Sequence, residues 1–342
     1  MNEITGLATQ PPDHDVMVGL LRRHGTDGAA LRASGCLNPS HLDDPARLLR
    51  DVAAVDLSLG RLFEGHVNAL TLIRAWGDPA LVADSMAEAA EGHLFGVWGA
   101  DGDPPVTSEG HGLFGAKRYA SGLGIVSRAV VSAAAPDGQR LFAVPADEPA
   151  RHDMSGWDMA GMTASLSGRF DCTGLEGRPI GGPGIYTTEP HFVGGTWRIA
   201  AVSLGAITGL LDAAAGELRA RGHLESDAQL LRLTPVAARA VALWPAILRA
   251  GRVATGPEGA ARPDRAAILS VSTRLMAEDL GQDAIAAVER SLGLSMFAAS
   301  DPVGRAARDL ACYLRQAARD AFCLKTGRAF LGEAPLATWL DD

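Results

Sequence analysis

The sequence is poor in cysteine and has no excess of basic charge. Its four cysteines, Cys36, Cys172, Cys312 and Cys323, show neither C-x-x-C spacing nor a histidine at metal-ligand spacing, which argues against a disulfide framework and against a zinc site. Lysine and arginine number 31 against 40 acidic residues, so no basic surplus is available for general nucleic-acid binding. We therefore expect free thiols in a reducing compartment, with no metal and no nucleic acid.

Long apolar runs are also missing. No stretch reaches membrane-spanning length without charge, and residues 1–12 lack the charged segment and apolar run of a secretory signal. Apolar residues nevertheless make up 47% and charged residues 21% of the 342 positions. This composition is typical of a soluble globular protein of two or three domains, and we predict that it is cytoplasmic.

The local pattern changes twice, which predicts three domains. Residues 1–91 show apolar positions at helical spacing and are predicted to form an all-helical domain, with its first helices from about Asp13. Residues 92–186 contain short apolar runs between glycine and proline turns, which is typical of a small β domain or barrel. Residues 187–342 return to long amphipathic segments and are predicted to form a four-helix bundle. The predicted fold class is therefore α+β.

Several boundaries in this prediction are specific. Asp78-Pro79 combines an N-cap side chain with proline at the first helical position and should begin a helix. Residues 94–98 and 113–119 should be strands. In the third domain, helices should begin at Trp197, at Thr234-Pro235, near Pro263 and after Asp301, and Pro245 should kink or break the second of them.

One glycine-punctuated stretch, Gly115–Gly124, is predicted to be a strand that ends in a tight turn. Lys117, Tyr119 and Ser121 should alternate onto one face, and the closing glycines permit a positive φ. An aromatic ring close to a hydroxyl suits a flat, hydrogen-bonding ligand. Ordinary hairpin construction would use the same residues, so the stretch alone leaves both interpretations open.

Three patterns follow one another along the chain. Residues 115–122 read GAKRYASG, and residues 161–170 read GMTASLSGRF. The third pattern comprises Gly293, Phe297, Pro302 and Arg308-Asp309. In this order, and on helical, β and bundle domains, they resemble the acyl-CoA dehydrogenase family of flavoproteins over nearly the whole chain.

The resemblance implies an FAD cofactor held by the first pattern. Tyr119 would lie against the flavin ring, and Ser121 would donate a hydrogen bond near its reactive nitrogen, with Gly122 beside them. Trp98 and Gly99 stand where the family has a T-E-P-x-x-G-S-D loop. Trp98 would either contact the edge of the flavin or close the core of the β domain.

The resemblance also implies residues for the substrate and for a neighbouring subunit's cofactor. Glu64, with Arg61 near it, falls at the floor of the acyl pocket and is a candidate acid/base group; a paired helix residue is the alternative. Arg198 would lie near a coenzyme A moiety or form a salt bridge. Arg290 and Gly293 would contact flavin in a homodimer or homotetramer.

The chain departs from the family at the catalytic base. The family's dehydrogenases use a glutamate to remove the α-proton of an acyl thioester. Ala317 and Trp197 occupy the two positions where members keep that glutamate. The first hypothesis is still an acyl-CoA dehydrogenase-like enzyme that oxidises an acyl thioester and passes electrons to an acceptor. A flavin-dependent monooxygenase served by a separate flavin reductase, and a non-catalytic family member, are the alternatives.

Overall fold

The computed structural model describes residues 28–332 and 334–340. It divides the chain into two compact units, one ending at Tyr186 and the other beginning at Thr187. The predicted helix near Asp13 lies outside the described residues. The helical and β parts that the sequence analysis treated as separate domains share the first unit.

From residue 28 onward the first four α-helices are α1 (Gly28–Ala33), α2 (Ala46–Val55), α3 (Leu57–Trp76) and α4 (Pro79–Ala90). The side chain of Asp56 accepts a hydrogen bond from Leu59 N at 3.1 Å and starts α3. Asp78 accepts from Leu81 N at 2.8 Å and starts α4, as predicted. Both carboxylates satisfy backbone N–H groups that a helix leaves free at its first turn.

Ten strands follow: β1 (Leu94–Trp98), β2 (Thr107–Glu109), β3 (Gly112–Phe114), β4 (Ala116–Ala120), β5 (Val126–Ala135), β6 (Gly138–Pro145), β7 (His152–Asp153), β8 (Gly168–Asp171), β9 (Leu175–Glu176) and β10 (Arg178–Ile180). One sheet has the order β10-β6-β5-β2-β3-β9, with β1 parallel to β5, and β4-β8-β7 form the other. The strand predicted over 113–119 is split between the two sheets. Gly115, at φ +103°, makes the break.

Helix α3 is attached to β1 through one buried histidine. The N–H of Phe95 donates to His66 Nδ1 at 3.2 Å, so Nε2 carries the ring proton and donates to Leu37 O at 2.9 Å. Burial lowers the pKa of His66 to about 4, and the hydrogen bond to Leu37 O opposes only part of that shift. The ring therefore stays neutral and connects a loop, a helix and a strand.

The second unit contains α5 (Trp197–Ala220), α6 (Asp227–Thr255), α7 (Pro257–Ala261), α8 (Pro263–Leu292), α9 (Pro302–Tyr313) and α10 (Arg319–Phe330). Helix α8 packs against both α5 and α6. Helix α6 begins at Asp227, before the predicted start at Thr234-Pro235. A kink or a break was predicted at Pro245, and the break is wrong because α6 runs through it. Pro245 and Val241, four residues earlier, are both exposed, so water can satisfy the carbonyl that loses its partner.

Two segments, Val193–Ala220 and Asp227–Thr255, are long and apolar enough to cross a membrane by length and composition. In the most apolar 18-residue window of each segment, 56% of the first and 22% of the second is buried. Buried core helices of soluble proteins satisfy the same criteria.

Candidate functional site

The strand that carries the first sequence pattern is anchored by a buried lysine. Lys117 is fully buried, and its Nζ donates to Asp101 Oδ1 at 2.6 Å, to Ser132 Oγ at 2.9 Å and to the carbonyl of Gly99 at 3.3 Å. Burial lowers the pKa of Lys117, and the hydrogen bond that its ammonium group donates to Asp101 opposes that shift. The ammonium group thereby ties β4 to the loop that follows β1.

Tyr119 leaves the regular strand pattern. Its φ is +55°, and the pairing of β4 with β8 shifts between Lys117 and Ala120. The predicted alternation of Lys117, Tyr119 and Ser121 onto one face is therefore wrong. Lys117 points into the core, whereas the Tyr119 side chain is 56% exposed. Left-handed backbone at a non-glycine residue costs on the order of 1–3 kcal/mol and is concentrated at functional sites.

The Tyr119 ring is flanked by two other side chains. Trp157 meets it edge-on, with 6.3 Å between ring centroids and 70° between ring planes. The Arg118 guanidinium lies 5.0 Å from the ring centroid. This arrangement presents an aromatic surface held by its neighbours.

Ser121 joins the first sequence pattern to the second. Its Oγ lies 3.0 Å from Ser167 Oγ, which lies 2.9 Å from Ser165 Oγ. The backbones are also joined, since Gly122 N donates to Ser165 O at 2.8 Å. Gly122 has φ +86°, and a Cβ there would lie 2.6 Å from a Val126 methyl group. Only glycine fits this junction without strain.

Trp98 lies beneath the same junction. It is 2% exposed, its ring centroid is 4.7 Å from that of Phe170, and its Nε1 donates to Ser121 O at 3.2 Å. The indole therefore fixes the backbone of Ser121 from below. A flavin contact for Trp98 stays a prediction.

A second polar cluster forms on α3 around Glu64. This side chain is 5% exposed, and Oε2 accepts from Arg61 Nη1 at 2.6 Å, while Oε1 accepts from Asn68 Nδ2. Burial and the nearby Glu64 charge raise the pKa of Tyr186. A Cβ on Gly99 would lie 2.7 Å from the Tyr186 hydroxyl, so that glycine makes room for it. The sequence analysis missed Asn68 and Tyr186; the four-residue spacing from Glu64 would have indicated the former.

The remaining predicted residues lie in the second unit. Arg198 is buried at the start of α5, with its guanidinium 5.1 Å from the Trp197 ring. Burial of His191 lowers the pKa of this histidine, and the positive charge of Arg198 lowers it further. Arg290 and Gly293 are exposed where α8 ends, and Gly293 has φ +70°. Their predicted cofactor contacts stay predictions.

Several properties of this segment suit a flavin ring. Tyr119 has an exposed aromatic ring, Ser121 follows two residues later with a hydroxyl, and Gly122 after it has a positive φ; Trp98 fixes the backbone of Ser121. By contrast, the described residues contain no group of three or more His, Cys, Asp or Glu side chains that could hold a metal ion. The side chains present fit a flat organic cofactor.

No protein-family model matches the sequence, and no curated protein matches it. Solved structures do match this chain. TdsC from Paenibacillus sp. A11-2, in complex with FMN and indole, is 19% identical, with 99% of this chain and 100% of that chain covered and a TM-score of 0.75. Butyryl-CoA dehydrogenase from Megasphaera elsdenii is 15% identical, with 93% and 90% covered and a TM-score of 0.69. This chain has the acyl-CoA dehydrogenase fold.

Another structure with this fold is KijD3, in complex with FMN and a dTDP-linked amino keto sugar. It is 19% identical, with 96% of this chain and 89% of that chain covered and a TM-score of 0.71. These likenesses confirm the predicted architecture of helical region, central sheet and C-terminal bundle.

In this chain neither position at which the catalytic glutamate was expected holds a carboxylate. Ala317 lies between α9 and α10, and its carbonyl accepts from Nη2 of the buried Arg274 at 2.9 Å. Trp197 is buried and packs on Gly251. Neither side chain can remove a proton from carbon.

Proposed function

We propose that this protein is a flavin-dependent monooxygenase that works with a separate flavin reductase. The observation that carries the proposal is the exposed Tyr119 ring, two residues before the Ser121 hydroxyl, in a chain that has alanine and tryptophan at the two expected positions of the dehydrogenase base. Bound reduced flavin would supply the electrons that activate oxygen, which needs no α-proton base. The acyl-CoA dehydrogenase hypothesis thereby becomes the second candidate.

The cofactor is proposed to lie with its ring on Tyr119 and a ring nitrogen near Ser121 Oγ. Gly122 would allow the close approach, and Gly99 lies in the loop anchored by Lys117. We propose FAD, with Arg290 and Gly293 of a neighbouring copy contacting it. FMN, which accompanies TdsC and KijD3, is the alternative that a binding measurement decides.

The state of Glu64 weakens the case for this residue as a base. Both of its oxygens already accept hydrogen bonds, from Arg61 and Asn68. These two partners hold the carboxylate in place and leave lone pairs free on both oxygens, so we assign Glu64 and Arg61 to substrate binding. A buried ion pair recognises hydrogen-bonding substituents better than a plain acyl chain, because unmatched polar groups are costly there. Arg198 is proposed as a further, anion-binding contact.

The test is reconstitution with NADH, a flavin reductase, FAD or FMN, and oxygen. Indole and dibenzothiophene, the compounds named with TdsC, form the first panel. Incorporation of one atom from ¹⁸O₂ into product, lost in Tyr119→Ala, is expected. Turnover that continues without oxygen would contradict a monooxygenase.

One observation keeps the dehydrogenase as a second candidate: Glu64 is a buried carboxylate on the helix that the resemblance places at the acyl pocket. Under this hypothesis an acyl-CoA panel bleaches the flavin absorbance without oxygen, and Glu64→Gln abolishes the bleaching. Colourless protein that takes up neither FAD nor FMN would exclude both enzymes and favour the non-catalytic alternative.

Location and assembly are also proposals. The four cysteines are free, and burial raises the pKa of Cys36 and of Cys172 to about 12, which suits a reducing cytoplasm.

Leu231 and Val241 on α6 are 78% and 76% exposed, and we propose that they contact another copy in a homodimer or homotetramer. Light scattering on Val241→Glu tests this assignment.

A further inference from the structure

Three serine hydroxyls form a chain that leads inward from the Tyr119 surface. Ser121 Oγ and Ser167 Oγ are 3.0 Å apart, Ser167 Oγ and Ser165 Oγ are 2.9 Å apart, and Ser165 Oγ lies 2.7 Å from Met162 O. Ser165 and Ser167 are 1% and 2% exposed. Water therefore does not compete for the two inner hydroxyls.

The direction of these hydrogen bonds is reversible. With all three protons inward, Ser121 donates to Ser167, Ser167 to Ser165, and Ser165 to Met162 O, so Ser121 presents a lone pair outward. In the opposite direction Ser165 donates to Ser167 and Ser167 to Ser121, whose own proton then points outward. Hydroxyl groups rotate between these states, and no covalent bond changes.

The Ser165 hydroxyl, at the inner end of the three serines, can donate either to Met162 O or to Ser167, because Met162 O has other hydrogen-bond donors. Trp157 Nε1 donates to it at 3.1 Å, and the backbone N–H of Ser165 does so at 3.1 Å. Rotation of the Ser165 hydroxyl thus leaves the buried carbonyl satisfied.

We infer that Ser165 and Ser167 are positioning residues that let Ser121 donate a hydrogen bond to oxidised flavin and accept one from reduced flavin. The inference rests on the proposed function, which puts a flavin ring nitrogen near Ser121. Such a nitrogen accepts a hydrogen bond in the oxidised ring and carries a proton in the reduced ring, so its partner has to change role. In the structure Ser167 Oγ donates to Ser121 Oγ, so the outward direction suits oxidised flavin, and Ser165 gives Ser167 the alternative acceptor that lets Ser121 turn its lone pair to reduced flavin.

The test compares dissociation constants for oxidised and reduced FAD without oxygen, for wild type and Ser165→Ala. Without Ser165, the proton of Ser167 can bridge only to Ser121, which leaves Ser121 as a donor. Reduced FAD should then bind about fivefold more weakly relative to oxidised FAD, the worth of one net hydrogen bond. Ser165→Cys, nearly isosteric with a weak donor, should shift the ratio in the same direction if the alanine variant misfolds.

The matched control is Ser108→Ala, which deletes another buried hydroxyl of the β region outside the chain; its ratio should equal that of wild type. An unchanged ratio in both Ser165 variants, or equal weakening of the two redox forms, overturns the inference. Wild-type protein that binds neither form overturns the proposed function and this inference with it. Wild type that binds both, with an unchanged ratio in the variants, overturns the inference alone.

Discussion

Gly122 and Gly124 lie in the turn after β4, and comparing alanine substitutions at the two positions separates the cost of a positive φ from the cost of close packing. Their φ values are +86° and +83°, so alanine at either position has to adopt a positive φ, which costs about 1–2 kcal/mol in left-handed backbone. They differ in space. A Cβ on Gly122 would lie 2.6 Å from Val126 Cγ2 and 2.9 Å from Leu62 Cδ2, whereas a Cβ on Gly124 would meet nothing within 4 Å.

The expected losses of unfolding free energy follow from these two terms. Gly124→Ala should cost about 1 kcal/mol, because part of the strain is offset by reduced entropy of the unfolded chain. Gly122→Ala should cost about 3 kcal/mol, because overpacking adds roughly 1–3 kcal/mol in a well-filled core. Urea unfolding, followed by hydrogen exchange in peptides from β5, measures both. Equal losses in the two variants would refute the argument from packing.

Three other perturbations have defined outcomes. The contribution of His66 to the unfolding free energy of the first unit should be complete above pH 6.5 and decline toward pH 4. Between these values the unfolded His66 binds a proton, while the folded ring, with its pKa lowered to about 4, does not. His66→Gln should flatten this part of the urea-derived stability curve, and an unchanged slope would contradict the prediction. Amine acetylation read by mass spectrometry should modify the exposed Lys325 and spare the buried Lys117; similar rates would contradict the burial. Tyr119→Leu should raise the flavin dissociation constant about tenfold at unchanged stability, since aromatic stacking is lost, and unaltered affinity would remove Tyr119 from the site.

Much of the fold followed from local chemistry. Proline after an N-cap aspartate located the start of α4, and an apolar run between turns located β1. The backbone of Tyr119 could not be predicted in this way. Period-two alternation assumes extended φ and ψ at every residue, and tyrosine has no preference for the left-handed region that it occupies here.

The site was predictable only where its contacts are local. Asn68 lies one helical turn after Glu64, and such a pair is visible in the sequence. Tyr186 and the hydroxyl partner Ser167 reach their places through strand pairing and loop paths, and no spacing rule connects them to Glu64 or Ser121. Long-range contacts of this kind depend on the register of β4 with β8.

The left-handed backbone of Tyr119 also bears on how this protein could be engineered. Glycine at this position would release the strain, so a search for stabilising substitutions that considers only the backbone would select Tyr119→Gly. The same substitution deletes the aromatic face on which ligand binding is proposed to depend. A thermostabilisation campaign on this scaffold should therefore hold residue 119 constant and seek its gains elsewhere.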